Sequence, residues 1–274
     1  MWSHRPSFTI ALTGISRALI VRDRIMGWSG PNLSGPDWTG PGWPRTSAVV
    51  SASHHSIPSG ASILDAIYVE PVGPPARAAV LLCHGIGETV RPWFPVQQLL
   101  AINGVASLLF DYSGYGKSTG TIDWSQFEQD AIAAFHCLEG LAHPLPLSVL
   151  GFSLGSGVAA AVINQLNAQR LILCAAFTSF RDATHAIGIP ARLGPLVPPI
   201  WSAEESLRHC ALPILIVHGA RDRLFPVKMA EKLASVCGPN AKLAIVPEVG
   251  HNRPFRKPEL NFWGPVISFL TTAN

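Results

Sequence analysis

The apolar run Leu145 to Leu150 passes directly into Gly151-Phe152-Ser153-Leu154-Gly155, and then into the small residues Ser156-Gly157-Val158-Ala159-Ala160-Ala161. This order describes a strand, a turn too tight for side chains on either flank, and a helix whose small face can lie close on a sheet. A serine at the centre of such a turn sits on strained backbone, with the N-terminus of the next helix pointing at it. Gly-x-Ser-x-Gly also occurs without function, so the pentapeptide alone leaves an ordinary Gly/Ser turn equally open.

From about residue 47 onward, apolar runs alternate with helix-like segments, the rhythm of a mostly parallel central sheet with helices on both faces. Strands are expected at 47–53, 62–70, 78–83, 105–110, 146–150, 170–175, 212–217 and 241–246. The middle runs (AAVLLC, VASLLF, LSVLG, RLILCA, PILIVH) lack alternation, as strands covered on both faces should. Helices are expected at 93–103, 124–140, 155–167, 227–236 and 258–271. Between Thr178 and Cys210, Pro190, Pro195, Pro198 and Pro199 break the rhythm, which reads as a small cap at about 178–210 over the sheet's carboxyl edge. The 274 residues allow one large α/β domain or two small ones, and a single domain over 47–274 is the expectation. Residues 1–46 form an arm ahead of it. Its segment 27–45 is dense in Gly and Pro and carries Trp28, Trp38 and Trp43, expected to clamp the arm to the domain, with substrate or membrane contact as the alternative.

Composition narrows the classes of partner. Charged residues are 14% of the chain, against about 25% in ordinary soluble proteins, and the mean hydropathy is positive. That balance suits greasy substrates, self-association into a homo-oligomer, or peripheral contact with a membrane, and a generous core contributes to it as well. A net charge of +3 with scattered Lys and Arg offers no basic stripe for nucleic acid. Five cysteines without C-x-x-C spacing indicate neither a disulfide framework nor zinc, and read as buried thiols of a cytoplasmic protein. No apolar run reaches the roughly 18 residues of a membrane span. The segment Phe8 to Ile15 is signal-like, but Arg17, Arg22 and Arg24 follow it, so a short amphipathic helix on the fold or on lipid fits better.

A serine hydroxyl is a poor nucleophile at neutral pH. It needs an adjacent base, and the base needs a group that orients it and stabilises its positive charge. The expected strand at 212–217 runs into His218-Gly219-Ala220-Arg221-Asp222, which puts Asp222 at a strand's carboxyl end. The strand after it leads into Val249-Gly250-His251, which puts His251 on the following loop. The order Ser153, Asp222, His251 is that of one hydrolase architecture and differs from the chymotrypsin and subtilisin orders. An oxyanion site is expected from the backbone N–H groups of Ile86, in His84-Gly85-Ile86-Gly87, and of Leu154. His84 is expected to shape its turn, His218 to be packed, Asp182 to be the reserve acid, and Glu248 to be too near His251 to serve. The other histidines show no metal-ligand spacing, so neither a metal nor a cofactor is expected. Gly114-Tyr115-Gly116-Lys117-Ser118 is no phosphate loop, because the required earlier glycine is Asp111, and Asp111 and Tyr115 are expected to brace the active-site edge.

With His84-Gly85, Asp111 to Ser118, the turn around Ser153, and Asp222 with His251 in order, residues 47–274 resemble the α/β-hydrolase superfamily. Within it the chain is similar to small microbial carboxylesterases and to acyl-protein thioesterase-like α/β-hydrolase-domain enzymes. The resemblance implies the α/β-hydrolase fold, a small-molecule acyl substrate, and cleavage of an ester or thioester through an acyl-serine without a cofactor. A serine peptidase or amidase, and a non-catalytic binding protein on the same fold, are the other classes. No His-Gly-Gly-Gly motif is present, and Ser156 stands where many peptidase relatives carry glycine. Trp93, Phe152, Phe180, Trp201 and Phe225 are expected to wall the substrate pocket.

Overall fold

The computed structural model describes residues 49–272, so the arm read at 1–46, with its tryptophans and the segment Phe8 to Ile15, lies outside the described residues. Eight strands form one sheet: β1 (Val50–Ser59), β2 (Ser62–Pro71), β3 (Ala78–Cys83), β4 (Val105–Phe110), β5 (Leu147–Phe152), β6 (Arg170–Cys174), β7 (Ile214–Gly219) and β8 (Ala241–Val246). Their order is β1-β2-β4-β3-β5-β6-β7-β8. β1 and β2 pair antiparallel, β2 runs antiparallel to β4, and the rest are parallel. The helices are α1 (Val90–Ile102), α2 (Phe127–Ala142), α3 (Leu154–Val162), α4 (Phe180–Ala186), α5 (Ala203–Leu207), α6 (Val227–Cys237), α7 (Arg253–Arg256) and α8 (Leu260–Thr271). None among the described residues is long and apolar enough to cross a membrane.

The absence of alternation in the central runs has its cause in two cores. Ala79, Leu81 and Cys83 of β3 pack with Phe135 of α2, Val158 of α3 and Leu233 of α6 on one face of the sheet. Ala78, Val80 and Leu82 pack on the other with Trp93 of α1 and Trp263 of α8. Both faces of each central strand are therefore dry. The fold is the expected one, a mostly parallel sheet with helices on both faces.

The differences lie at element ends. β1 runs to Ser59, well past the expected end at 53, because His54 to Ser59 pair with β2 through backbone along an edge, burying only Ile57 and Ser59, and Pro58 fits an edge. Helix α1 starts three residues before the expected 93, placing Pro92 in the first turn, where a missing N–H is harmless. The stretch expected to be helical at 155–167 is α3 followed by a 3₁₀ turn, Ile163–Gln165. The one expected at 258–271 is α8 alone, with the short α7 before it and Pro258 breaking the two apart. The interval read as a cap holds α4, a 3₁₀ segment over Ala191–Leu196, and α5.

Helix α3 sits unusually close to the sheet. A Cβ on Gly155 would overlap the Cys83 carbonyl of β3, and one on Gly151 would overlap the Gly155 carbonyl. Gly155→Ala is therefore expected to lower the unfolding free energy by about 3 kcal/mol or more, since backbone cannot yield as a side chain can. Gly140 in α2 is exposed with nothing within 4 Å of such an atom, so Gly140→Ala should instead add roughly 0.5–1 kcal/mol. Urea unfolding of the two variants checks both signs.

Candidate active site

Parallel pairing puts the carboxyl ends of β3, β5, β7 and β8 on one edge, and the expected site residues sit on the loops that leave them. Ser153 caps α3 with φ 53° and ψ −119°, a left-handed conformation that only a tightly held turn maintains in a non-glycine residue. Its N–H donates to the Cys174 carbonyl at 3.0 Å, and its carbonyl accepts from the Ser156 N–H at 2.9 Å and the Ser156 hydroxyl at 2.6 Å. These bonds fix the turn, and they leave Oγ free to face the cleft.

His251 stands between Ser153 and Asp222. The Ser153 hydroxyl donates to His251 Nε2 at 2.9 Å, and His251 Nδ1–H donates to Asp222 Oδ2 at 2.7 Å. Asp222 Oδ1 accepts from the N–H groups of Leu224 and Phe225, each at 2.8 Å, so both oxygens of the carboxylate are engaged. Burial works to raise the Asp222 carboxyl, but the hydrogen bond and charge of His251, with the Phe225 N–H and His218, outweigh it and hold the group below its ordinary range. An ionised carboxylate at Nδ1 keeps Nε2 as the acceptor, the tautomer that can take a proton from a hydroxyl.

The loops carrying acid and base are tied together, Arg221 N–H donating to the Val249 carbonyl at 2.9 Å and Ala220 N–H to that of Val246 at 2.9 Å. The imidazole is gripped by aromatic rings, Phe225 edge-on at 5.2 Å and Phe152 at 5.5 Å between centroids. The N–H groups of Ile86 and Leu154 have no acceptor among the described residues, and both residues line the cleft beside Ser153. Two free N–H groups there can hold an oxygen that gains negative charge.

The aromatic wall is only partly where the sequence suggests. Phe180 and Phe225 line the apolar side of the cleft, with Trp124, Phe177 and Ile187, none of them expected there. Trp93 does not reach the cleft, because it is fully buried and stacks on Phe255 and against Trp263. Phe152 is fully buried too, and serves behind His251. Trp201 points away, stacking on Phe127 and donating its Nε1–H to Glu128. Large apolar residues near a loop are candidates by neighbourhood alone, and only the packing decides which become core.

Asp182, the reserve acid, accepts from the Thr178 hydroxyl and lies in the first turn of α4, while Glu248 pairs with Arg221. His218 is buried and its Nε2–H donates to the Phe225 carbonyl at 2.9 Å. His84 donates from Nδ1 to the Gly85 carbonyl at 2.8 Å. One residue the sequence reading missed is Glu88, buried beside that turn, whose Oε2 accepts from the Gly85 N–H at 2.8 Å and from Trp93 Nε1–H at 2.7 Å. An acid three residues after a glycine in a Gly-rich turn was the available signal. Asp111 accepts at Oδ1 from the Val90 N–H at 2.8 Å, at the start of α1, and the Tyr115 ring lies 5.6 Å from that of His84. No three His, Cys, Asp or Glu side chains among the described residues converge to hold a metal ion.

This sheet order, with the candidate site's loops at one edge, is the α/β-hydrolase fold. The family model for serine aminopeptidases, S33, matches residues 74–203. An uncharacterized protein of Mycobacterium tuberculosis is 31% identical over 180 residues, 64% of this chain and 63% of that protein. Lysophosphatidylserine lipase ABHD12 of Macaca fascicularis is 27% identical over 240 residues, 75% of this chain and 60% of the lipase. The chain thus spans less than two thirds of the length of these curated relatives. The solved structure of the Pyrococcus furiosus esterase Pf2001 has the same fold, with a TM-score of 0.64 and 19% identity over 89% of this chain and 98% of that one.

Burial pushes Asp111 from 3.8 up to about 8 and His84 from 6.5 down to about 4, so at neutral pH both are uncharged, 3.6 Å apart. Between pH 4 and 6.5 their effects on stability oppose. Above 6.5 only Asp111 acts: the native state keeps a proton that the unfolded chain has released, so stability falls as pH rises to about 8. Over that window the loss is at most about 2 kcal/mol. Asp111→Asn, which keeps an acceptor for Val90, should flatten this part of the profile, as urea unfolding at pH 6.5 and pH 8 would reveal.

Proposed function

We propose that the chain is a serine hydrolase that cleaves acyl esters through an acyl-serine intermediate. The observation that carries this reading is His251 bridging the Ser153 hydroxyl and the Asp222 carboxylate at 2.9 and 2.7 Å. Ser153 Oγ attacks the ester carbonyl as its proton passes to His251 Nε2, and the oxyanion is held between the N–H groups of Ile86 and Leu154. Asp222 steadies the imidazolium. Collapse of the intermediate breaks the C–O bond, His251 returning the proton to the leaving alcohol. Water, deprotonated by His251, then attacks the acyl-serine and regenerates the hydroxyl.

Esterases and a lipase among the similar proteins support an ester as substrate. The match to the serine aminopeptidases favours a second reading, cleavage of a peptide with a free N-terminus. Such a site must hold an ammonium group, usually with a carboxylate. Glu88 is the one carboxylate lining the larger side of the cleft among the described residues, and its Oε2 is already taken by Gly85 and Trp93. Arg221, Arg223 and Arg256 on the same wall would repel a cation. The ester reading is the stronger.

Ser153→Ala should abolish both hydrolysis of a short p-nitrophenyl ester and labelling by a fluorophosphonate probe, and undiminished labelling of that variant would contradict the assignment. Asp222→Asn should lower kcat by about 10³- to 10⁴-fold, because the amide presents the wrong partner to Nδ1–H. Steady-state kinetics on the folded variant measures this.

A further inference from the structure

The carbonyl carbon that Ser153 attacks carries two substituents, and the cleft gives them opposite surroundings. On one side is an apolar slot of about 50 Å³ lined by Trp124, Leu154, Phe177, Phe180, Ile187 and Phe225. On the other is a cavity of about 300 Å³ whose wall includes His251, Asn252, Arg221, Arg223 and Arg256. The proton for the leaving alcohol comes from His251 Nε2, so the leaving oxygen must lie within hydrogen-bond reach of that atom. His251 lines the larger cavity and not the slot. The acyl group therefore enters the apolar slot, and the alcohol portion occupies the cationic side.

Two of the three guanidinium groups on that side are unpaired among the described residues and outnumber the one carboxylate that lines it. Arg221 is paired with Glu248. Arg223 and Arg256 have no carboxylate partner among the described residues, and Arg256 lies over the Phe255 ring with its guanidinium carbon 6.0 Å from the ring centre. Glu88 lines the same cavity, and its Oε2 is held by the neutral donors of Gly85 and Trp93, so its charge offsets one guanidinium and leaves the other in excess. Guanidinium groups present planar forks that match a carboxylate or a phosphate, and their charge draws an anion to the cleft.

Resting on the ester hydrolase reading, we propose that the preferred substrate is an acyl ester of an anionic alcohol, bearing a phosphate or carboxylate on its leaving side that Arg223 and Arg256 hold. The test uses butyryl esters of glycerol, glycerol phosphate and glycerate, with a butyl half-ester of succinate that carries its carboxylate on the acyl side. In the wild-type protein, kcat/KM should favour an anionic alcohol over glycerol by tenfold or more at low ionic strength, with the preference shrinking in 0.5 M salt. The phosphate and carboxylate arms identify which anion is read. Replacing both residues, Arg223→Ala with Arg256→Ala, should reduce the anionic-to-neutral ratio by tenfold or more. A ratio near one in the wild type, a ratio unchanged in the double variant, or preference for the succinate half-ester would overturn the proposal. Those results, with glycerol ester turnover still lost in Ser153→Ala, would leave the hydrolase reading standing. Ester turnover surviving in Ser153→Ala would overturn both.

Discussion

The Cα of Gly155 lies against the carbonyl of Cys83, closer than any side chain allows, so α3 begins directly over the end of β3. Sheet register brings these two strands together, Cys83 standing opposite Gly151. The contact has three consequences at the cleft. Ser153 is forced into left-handed backbone that turns its hydroxyl outward. The first N–H of α3, that of Leu154, is left without an acceptor, and the loop leaving β3 sets the free N–H of Ile86 beside the same serine. A relaxed turn would lose all three together.

The other half of the site depends on loops that hold one another. Asp222 is positioned by its own turn, where Leu224 and Phe225 donate to it, and His251 by the backbone bond between Arg221 and Val249. Phe152 and Phe225 then restrict the imidazole ring. The imidazole is thus oriented by a carboxylate at one nitrogen and by aromatic packing on its flanks. The carboxylate stays ionised because four interactions outweigh its burial.

Much of this architecture was legible in the sequence because it rests on local rules. Five apolar runs without alternation specified buried parallel strands, and glycines flanking Ser153 marked the turn where a backbone had to come close. The edge strand was less legible. His54 to Ser59 pair through backbone while Ile57 alone among them adds an apolar side chain to the core, so no hydrophobic alternation announces them. The pocket wall was legible only in part for a different reason. Phe180 and Phe225 face the cleft, but Trp93, Phe152 and Trp201, equally apolar and equally near loops, are consumed by core stacking. Glu88 was passed over because its partners, a backbone N–H and an indole, are brought to it only by the folded turn.

The central claim is that the acyl group of the substrate passes through Ser153 Oγ. Acid quenching during turnover of a p-nitrophenyl ester, followed by peptide mapping with mass spectrometry, tests it directly. The account predicts one acyl mass increment, on the peptide that contains Ser153, formed at least as fast as turnover. Acyl groups on a different residue, or a burst of released nitrophenol with Ser153 left unmodified, would contradict it.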